Sequence, residues 1–548
     1  MDFINKRLYG AMEKRQVATT DYIVVGAGSA GCIVASRLSE DPRTTVTLIE
    51  AGGTGKNILY SMPAGFFALM KSGQGNWNYQ TVPQRALNGR EIYFPRGKVL
   101  GGSSAINGLI ASRGLPGDYD HWERIGNRGW SFRECLPYFK RLESFAEGDP
   151  EYRGHDGPVG VTAPVRENMT AVSRAWIDAS IQAGLPYNPD HNGLSTYGVS
   201  HAQGNYKNAV RQSTAARYIT PAMDRPNLRV VVDALVTKVI LEQGRAVGVE
   251  VIRGGQREII RADREVILAG GAVNSPQLLQ LSGIGDPLDL QPLGIKVEAP
   301  LVGVGKNLQD HLNVSLKQRL TSPVSYLRNT RPLSMLGSFA KYALFKSGPS
   351  ATNGLEAWSH VHSSAEIDHP DIQIYCVNIM HSNNGRDIVP EEGFMASLNH
   401  CRPRSVGTVR IKTVNPGEAP LIDPCYLSDP EDLRVLRAGI RISRDIIAQG
   451  AFDAIRGQEY EPGSKAESDA DIDAYIRRTA NTIYHPVGTC KMGVDESAVV
   501  DPELRVRGVD ALRVIDASVM PTIPSGNTNF PTMMIAEKAV DLIRTGQR

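Results

Sequence analysis

Residues 21–51, DYIVVGAGSAGCIVASRLSEDPRTTVTLIEA, constrain the rest of the chain more than any other stretch. Residues 22–25 are a short apolar run rich in β-branched side chains, which reads as a buried strand. The run stops at Gly26-Ala27-Gly28-Ser29-Ala30-Gly31, a G-x-G-x-x-G pattern, and the apolar positions then take helical spacing at Ile33, Val34 and Leu38. After a turn at Glu40-Asp41-Pro42, a second apolar strand at 46–49 ends on Glu50, nineteen residues beyond Gly31. Each part suits a dinucleotide. Gly26 permits the tight turn, Gly28 lets the backbone approach a pyrophosphate, and Gly31 lets helix and strand pack closely. The helix start offers free N–H groups to phosphate, and Glu50 offers a carboxylate to ribose hydroxyls. Without the strands and the acid the glycines would mark only an ordinary turn between strand and helix.

A chain of 548 residues is too long for one typical core, so two domains are expected. The 41% hydrophobic and 22% charged residues describe an ordinary globular protein, and a net charge of +2 gives no argument for a nucleic-acid partner. No apolar run approaches the roughly 18–20 residues of a membrane span. The six cysteines are scattered without a C-x-x-C pair, which fits free thiols in a reducing compartment. Eleven histidines include His360 and His362, but no set with acids or cysteines suggests a metal site. Residues 1–20 lack the continuous apolar core of a secretory signal, and read equally as an amphipathic helix on a domain or partner surface or as a frayed tail. A cytoplasmic location is the expectation, peripheral membrane association included.

Three further stretches are dense in glycine and small polar residues. Residues 94–108, FPRGKVLGGSSAING, suit close passage beside a flat or phosphorylated ligand, with Val99, Leu100 and Ile106 anchoring the flanks. Runs at 228–232, 234–240 and 246–251 read as a small sheet, and 265–269 runs into Gly270-Gly271-Ala272 as a second strand-to-helix turn. Near the end, YHPVGTCKMG at 484–493 carries His485, the strand at 513–515 reaches Asp516, and a Pro/Gly turn with Asn527 and Asn529 leads into a helix over 533–543. From about 313 to 480 the alternation is looser. Strands at 371–375 and 407–411 and a helix over 430–449 suggest an antiparallel sheet layered with helices.

These stretches, in this order, resemble the glucose–methanol–choline (GMC) oxidoreductases, in the style of their bacterial choline dehydrogenase-like and alcohol dehydrogenase-like members. The match runs from Asp21 to about Ile543. The resemblance implies a Rossmann-like α/β FAD-binding domain made of 21–159, 206–312 and 481–548, with an α+β substrate domain of 160–205 and 313–480 built on a large antiparallel sheet. It implies FAD contacts at Gly26, Gly28, Ser29, Ala30, Gly31, Glu50, Ala51, Arg96, Val99, Gly101, Gly102, Ser103, Asn107, Gly108, Leu109 and Ile110. Further contacts fall at Val236, Ala269, Gly270, Asp516, Ala517, Asn527, Thr528 and Asn529. His485 matches the family's active-site histidine, and Asn527 the position of a second histidine or an asparagine. Relatives with histidine-attached flavin carry that histidine where this chain has Ile106, so non-covalent FAD is expected.

The chemistry follows from the residue types. A neutral imidazole at His485 can take an alcohol's proton, and the Asn527 amide can hold the alcohol oxygen. His121, His155, His191, His201 and His311 lack such company and read as structural or surface, with Asp310-His311 in a packing or capping role. Alcohol oxidation is therefore expected, with hydroxynitrile lyase chemistry as the alternative that keeps the histidine. Residues 62–70 and 322–354, with Phe66, Phe67, Leu69, Tyr326, Met335 and Leu336 and few acids, are expected to line the pocket. They favour an uncharged primary alcohol over choline, whose cation calls for an aromatic cage and a carboxylate. The electron acceptor stays open among oxygen, a quinone and a redox protein, and a homo-oligomer is compatible with the sequence.

Overall fold

The computed structural model describes residues 15–546. Of the stretch 1–20, residues 1–14 lie outside the described residues, and 15–20 are neither an amphipathic helix nor a frayed tail but a paired strand. The strand expected from 22 is longer than the apolar run: β1 spans Arg15–Val25, and its first half pairs with residues 258–262 through a register irregularity. α1 (Gly31–Leu38) buries Cys32, Ile33, Val34, Ala35 and Leu38, which explains why a helix this short is apolar on most of its surface. β2 (Val46–Ile49) is buried throughout and lies parallel to β1. Burial on both faces replaces alternation with a continuous apolar run.

Further along the chain come α2 (Gly65–Ser72) and β3 (Gly198–His201). β4 (Leu228–Val231), β5 (Ala234–Glu242), β6 (Arg245–Arg253) and β7 (Gln256–Leu268) follow, and then α3 (Gly271–Leu281). The runs read as a separate small sheet belong to the nucleotide sheet itself. β4 pairs parallel to β2, while β5, β6 and β7 form an antiparallel meander on the far side of β1. β7 explains the merger. Its 13 residues are long enough to pair with β6 at one end and with β1 along its length. Pairing also decided this placement, which residue identities in the individual runs do not encode.

The second sheet is drawn from β8 (Leu312–Leu320), β9 (Leu355–Val361), β10 (Ile372–Val377), β11 (Gly393–His400), β12 (Arg456–Glu461) and the two residues of β13 (Asn481–Thr482). The order is β12-β8-β11-β10-β9-β3, with β13 also on β8, and all its pairings are antiparallel. Ile372, Ile374 and Cys376 of β10 enter the apolar core on one face, together with residues of α5 (Pro430–Ile447). The alternate residues Gln373 and Tyr375 point to the other face. The expected strand over 407–411 is the short Thr408–Arg410, paired with Leu421–Asp423 outside this sheet. α4 (Pro332–Phe345) crosses between β8 and β9 in sequence. β14 (Leu512–Val514) returns the chain to the first sheet beside β7, and α6 (Asn529–Thr545) starts four residues earlier in the chain than expected.

Candidate active site

A cavity of about 1000 Å³ joins the carboxyl ends of β1 and β2 to the polar face of the second sheet. Such crevices are where open α/β sheets bind ligands. At one end it is lined by Gly26, Gly28, Ser29, Ala30, Glu50, Ala51 and Val236, in the middle by Arg96, Gly102, Ser103, Asn107, Gly108, Leu109, Ile110, Ala269 and Gly270. At the other end it meets Asp516, Ala517, Asn527, Thr528, Asn529, Tyr375 and His485. Of the residues expected from the sequence, Gly31, Val99 and Gly101 stand behind this wall. Val99 is 2% exposed and bridges to Gly53, and Gly101 donates its N–H to the Ala27 carbonyl at 2.7 Å. They hold the wall's shape and do not face its contents.

The glycine turn is packed to backbone contact. A Cβ on Gly31 would stand 1.9 Å from the Gly26 carbonyl oxygen, and one on Gly102 would stand 2.6 Å from Gly28 Cα. A Cβ on Gly28 itself would meet nothing nearer than 3.9 Å, because it would point into the cavity. Glu50 clamps this turn. Its two carboxylate oxygens accept the N–H groups of Ala27 and Gly52, each at 2.9 Å, and burial pushes its carboxyl up to about 7 against the pull of those donors. Asp516 plays the matching part at the second turn. One oxygen accepts from Gly271 N at 2.8 Å and Ser275 Oγ at 2.5 Å, the other from Ser518 N at 2.8 Å. Ser29 Oγ donates to Asn529 Oδ1 at 2.7 Å, which ties the first turn to the start of α6 across 500 residues of chain.

The end of the cavity at His485 is organised by hydrogen bonds that fix a tautomer. His311 Nε2 lies 2.9 Å from the Cys401 carbonyl, which only accepts, so that nitrogen carries the proton. In the neutral ring His311 Nδ1 is then an acceptor, and it faces His485 Nδ1 at 2.9 Å. His485 therefore carries its proton on Nδ1, and its Nε2 presents a lone pair toward Asn527 Nδ2, 3.0 Å away, beside the cavity. Burial, His311 and Arg96 hold His485 well below the ordinary histidine range, so the ring is neutral at physiological pH. The backbone presents it deliberately. Tyr484 sits at φ +71°, and His485 N donates to Asp310 Oδ1 at 2.7 Å. The Tyr375 hydroxyl stands 3.1 Å from Asn527 Oδ1 and 2.7 Å from the Gln373 amide, which orients Asn527.

Three placements depart from the sequence reading. Asp310 and His311 do not simply pack or cap: Asp310 holds the His485 backbone and His311 sets its tautomer. Nothing in the residues next to them in sequence signals this role. Leu69 is 1% exposed in the core and Leu336 is 65% exposed to solvent, so neither lines the cavity, whereas Phe66, Phe67, Tyr326 and Met335 do. Within the stretches expected to line the pocket, 65–72 and 332–345 are the helices α2 and α4. Tyr375 was not singled out, because nothing in its own strand distinguishes it from a core aromatic.

A nucleotide-binding turn, an elongated cavity and a buried neutral histidine over an apolar chamber define a dinucleotide-dependent oxidoreductase with its substrate sheet opposed to its cofactor sheet. Family models described as GMC oxidoreductase match residues 20–313 and 403–536, and the chain belongs to the GMC oxidoreductases. It is 42% identical to the mitochondrial choline dehydrogenase of Homo sapiens over 534 residues, 95% of this chain and 89% of that protein. It is 41% identical to the oxygen-dependent choline dehydrogenase of Vibrio vulnificus (strain YJ016) over 95% of this chain and 94% of that one. Among solved structures, pyridoxine 4-oxidase from Mesorbium loti superposes with a TM-score of 0.88 at 30% identity, over 96% of this chain and 99% of that one. Formate oxidase from Aspergillus oryzae RIB40 gives 0.90 at 25% identity, over 98% and 99%. The protein is thus an FAD-dependent enzyme that oxidises an alcohol, and its cavity fits that cofactor. A side chain at Gly28 would meet nothing nearer than 3.9 Å, which leaves open space at the turn, and most of the residues expected to touch FAD line this one cavity. Among the described residues no helix is long and apolar enough to cross a membrane.

Proposed function

We propose that this enzyme oxidises an uncharged, largely apolar primary alcohol to the aldehyde, with His485 as the base. The observation that carries the base assignment is the hydrogen-bond chain from the Cys401 carbonyl through His311, which turns the His485 Nε2 lone pair toward the cavity, where Asn527 Nδ2 donates to it at 3.0 Å until an alcohol takes that place. The alcohol's hydroxyl proton would pass to that nitrogen, and the Asn527 amide, 3.0 Å from it, would turn its N–H to the alcohol oxygen. When bound, FAD supplies the ring that accepts the hydride. Gly28, Glu50 and Val236 would hold its adenosine and phosphate end, and Gly102, Ser103, Asn107, Asp516 and Ala517 would surround the flavin end. Histidines lining the cavity among the described residues are His381 and His485, while Ile106 stands in the wall, which supports non-covalent attachment.

The substrate class follows from charge. The carboxylates lining the cavity are Glu50 and Asp516, both occupied by backbone donors at the cofactor turns. The chamber over His485 is bordered by Phe66, Phe67, Met335, Phe339, Tyr326 and Val377, with Lys71, Arg96 and Arg386 as cations. A quaternary ammonium group would find no counter-charge there. Choline is the second reading, favoured by the names of the relatives at 41–42% identity. Anaerobic reduction of the bound flavin by a panel of linear primary alcohols and choline decides between them. Faster bleaching by choline than by any neutral alcohol overturns the first reading, and no bleaching by any alcohol overturns both. Oxygen, a quinone and a redox protein remain as acceptors, to be compared by the rate at which each reoxidises the alcohol-reduced enzyme, and the two-domain division expected from the sequence is proposed as the way cofactor and substrate sites are separated.

A further inference from the structure

α4 is an apolar helix with almost nothing on top of it. Its sequence is PLSMLGSFAKYALF, and Tyr342 is its one buried residue. Leu333, Leu336, Leu344 and Phe345 are 85, 65, 74 and 72% exposed, and Met335 and Phe339 are 56 and 38% exposed. A surface helix ordinarily turns its apolar stripe toward the core. Here apolar side chains occupy the free circumference, and a contiguous exposed patch of this kind marks a surface that is covered in use. α2 adjoins it: Ala64 N donates to Ser350 O at 3.4 Å, and Phe67 and Lys71 are exposed.

The segment that carries the patch is basic, and the acid that meets it, Glu392, is half-buried on Ser325 Oγ at 2.5 Å. From residue 320 to 355 the chain carries Arg328, Arg331, Lys341 and Lys346, all exposed, and no carboxylate. On the α2 side, from 51 to 75, it carries Lys56 and Lys71, again without an acid. The next carboxylate, Glu356, is buried and accepts the Tyr326 hydroxyl at 2.7 Å, so it does not offset them. At 14 residues α4 is about 21 Å long, too short to cross a bilayer. It has the makeup of a helix that lies in the interface, with apolar residues in the acyl boundary and cations reaching phosphate.

We propose that α4, with α2 beside it, docks this enzyme onto the surface of a lipid bilayer that carries anionic headgroups. Phe66, Phe67 and Met70 of α2 and Met335 and Phe339 of α4 also line the cavity. The docked mouth would therefore open at the acyl boundary, and an alcohol or acceptor of low water solubility would enter from the bilayer. That consequence rests on the alcohol-site reading above, and the docking itself does not.

The test is flotation of the FAD-loaded enzyme with vesicles of zwitterionic lipid alone or with about 30% anionic lipid, at low and high salt. The variant Leu333→Glu/Leu336→Glu/Phe345→Glu changes residues outside the cavity. Its reduction by a soluble alcohol should match wild type, which separates a docking failure from a failure of the active-site reading. Wild type should float with the anionic vesicles and less so in high salt, and the variant's bound fraction should fall at least about tenfold. If the triple variant does not fold, Leu336→Trp gives the second measurement, its emission being quenched by chain-brominated lipid. Wild type that stays unbound at both compositions, equal flotation of wild type and variant, or a wild-type dimer that the variant turns into a monomer without any flotation would each overturn the proposal. The last of these would assign the patch to a second copy of the chain.

Discussion

His311→Leu offers the most direct check on how the site is poised. In the wild type, the proton on His485 Nδ1 is taken by His311 Nδ1 at 2.9 Å, inside a region from which solvent is excluded. Leucine has no acceptor, so the tautomer with its Nε2 lone pair toward the cavity would leave a buried N–H unpaired. Leaving a buried donor unpaired costs about 1–3 kcal/mol. The alternative tautomer escapes that cost but has no base in the cavity. The active form is thereby reduced in population, and flavin reduction should slow by about 5- to 150-fold. His311 does not line the cavity, so the loss should fall on the limiting reduction rate, with the alcohol concentration at half-saturation little changed. Stopped-flow reduction under anaerobic conditions, on samples matched for FAD content, measures both quantities. A reduction rate within twofold of wild type, or a loss confined to the half-saturation constant, would refute the tautomer argument.

His485→Ala should fold and keep FAD, and its reduction by alcohol should slow by about 10²–10⁴, while Asn527→Ala should retain more activity because it orients the alcohol without taking the proton; equal rates in His485→Ala and wild type would remove the base assignment. Because His485 is held well below the usual histidine range, wild-type reduction should be flat near neutral pH and fall only in acid, and a limb at or above the ordinary histidine pKa would contradict this. Gly28→Ala should fold but lose FAD affinity, since its methyl group meets only cavity, whereas Gly31→Ala should lower thermal stability even without flavin, since its methyl group collides with the Gly26 carbonyl; titrating FAD into both apoproteins and melting them separates the two outcomes. Burial depresses His311, His360 and His381 to about 4, so the unfolded chain binds more protons than the folded one between about 4 and 6.5 and stability should fall as pH drops through that window, by about 1.4 kcal/mol per pH unit for each histidine. Glu50, raised to about 7, acts in the opposite sense, and urea unfolding midpoints that stay level or rise on acidification from 6.5 to 4.5 would contradict the histidine account.

What the sequence determined by itself is whatever rests on local geometry. The turn from β1 into α1 needs glycine at 31 because the Gly26 backbone approaches there, and glycine at 28 keeps the cavity beside the turn open; both are written in adjacent residues. The same holds for the turn at Gly270, for the Pro/Gly segment before α6, and for His485 within its glycine-rich surroundings. What only the tertiary structure decided depends on chain segments far apart in sequence. His311 and His485 are separated by 174 residues, and their contact exists because β8 and β13 pair beside one another. Tyr375 reaches Asn527 only because β10 turns its odd-numbered residues toward the cofactor sheet. Leu69 and Leu336 look alike as apolar letters, yet one is buried and the other bare, because burial depends on what the rest of the chain places over a residue. The merger of the meander with β1 has the same origin: strand propensity is local, whereas the choice of neighbour is settled by the whole fold competing for each sheet edge.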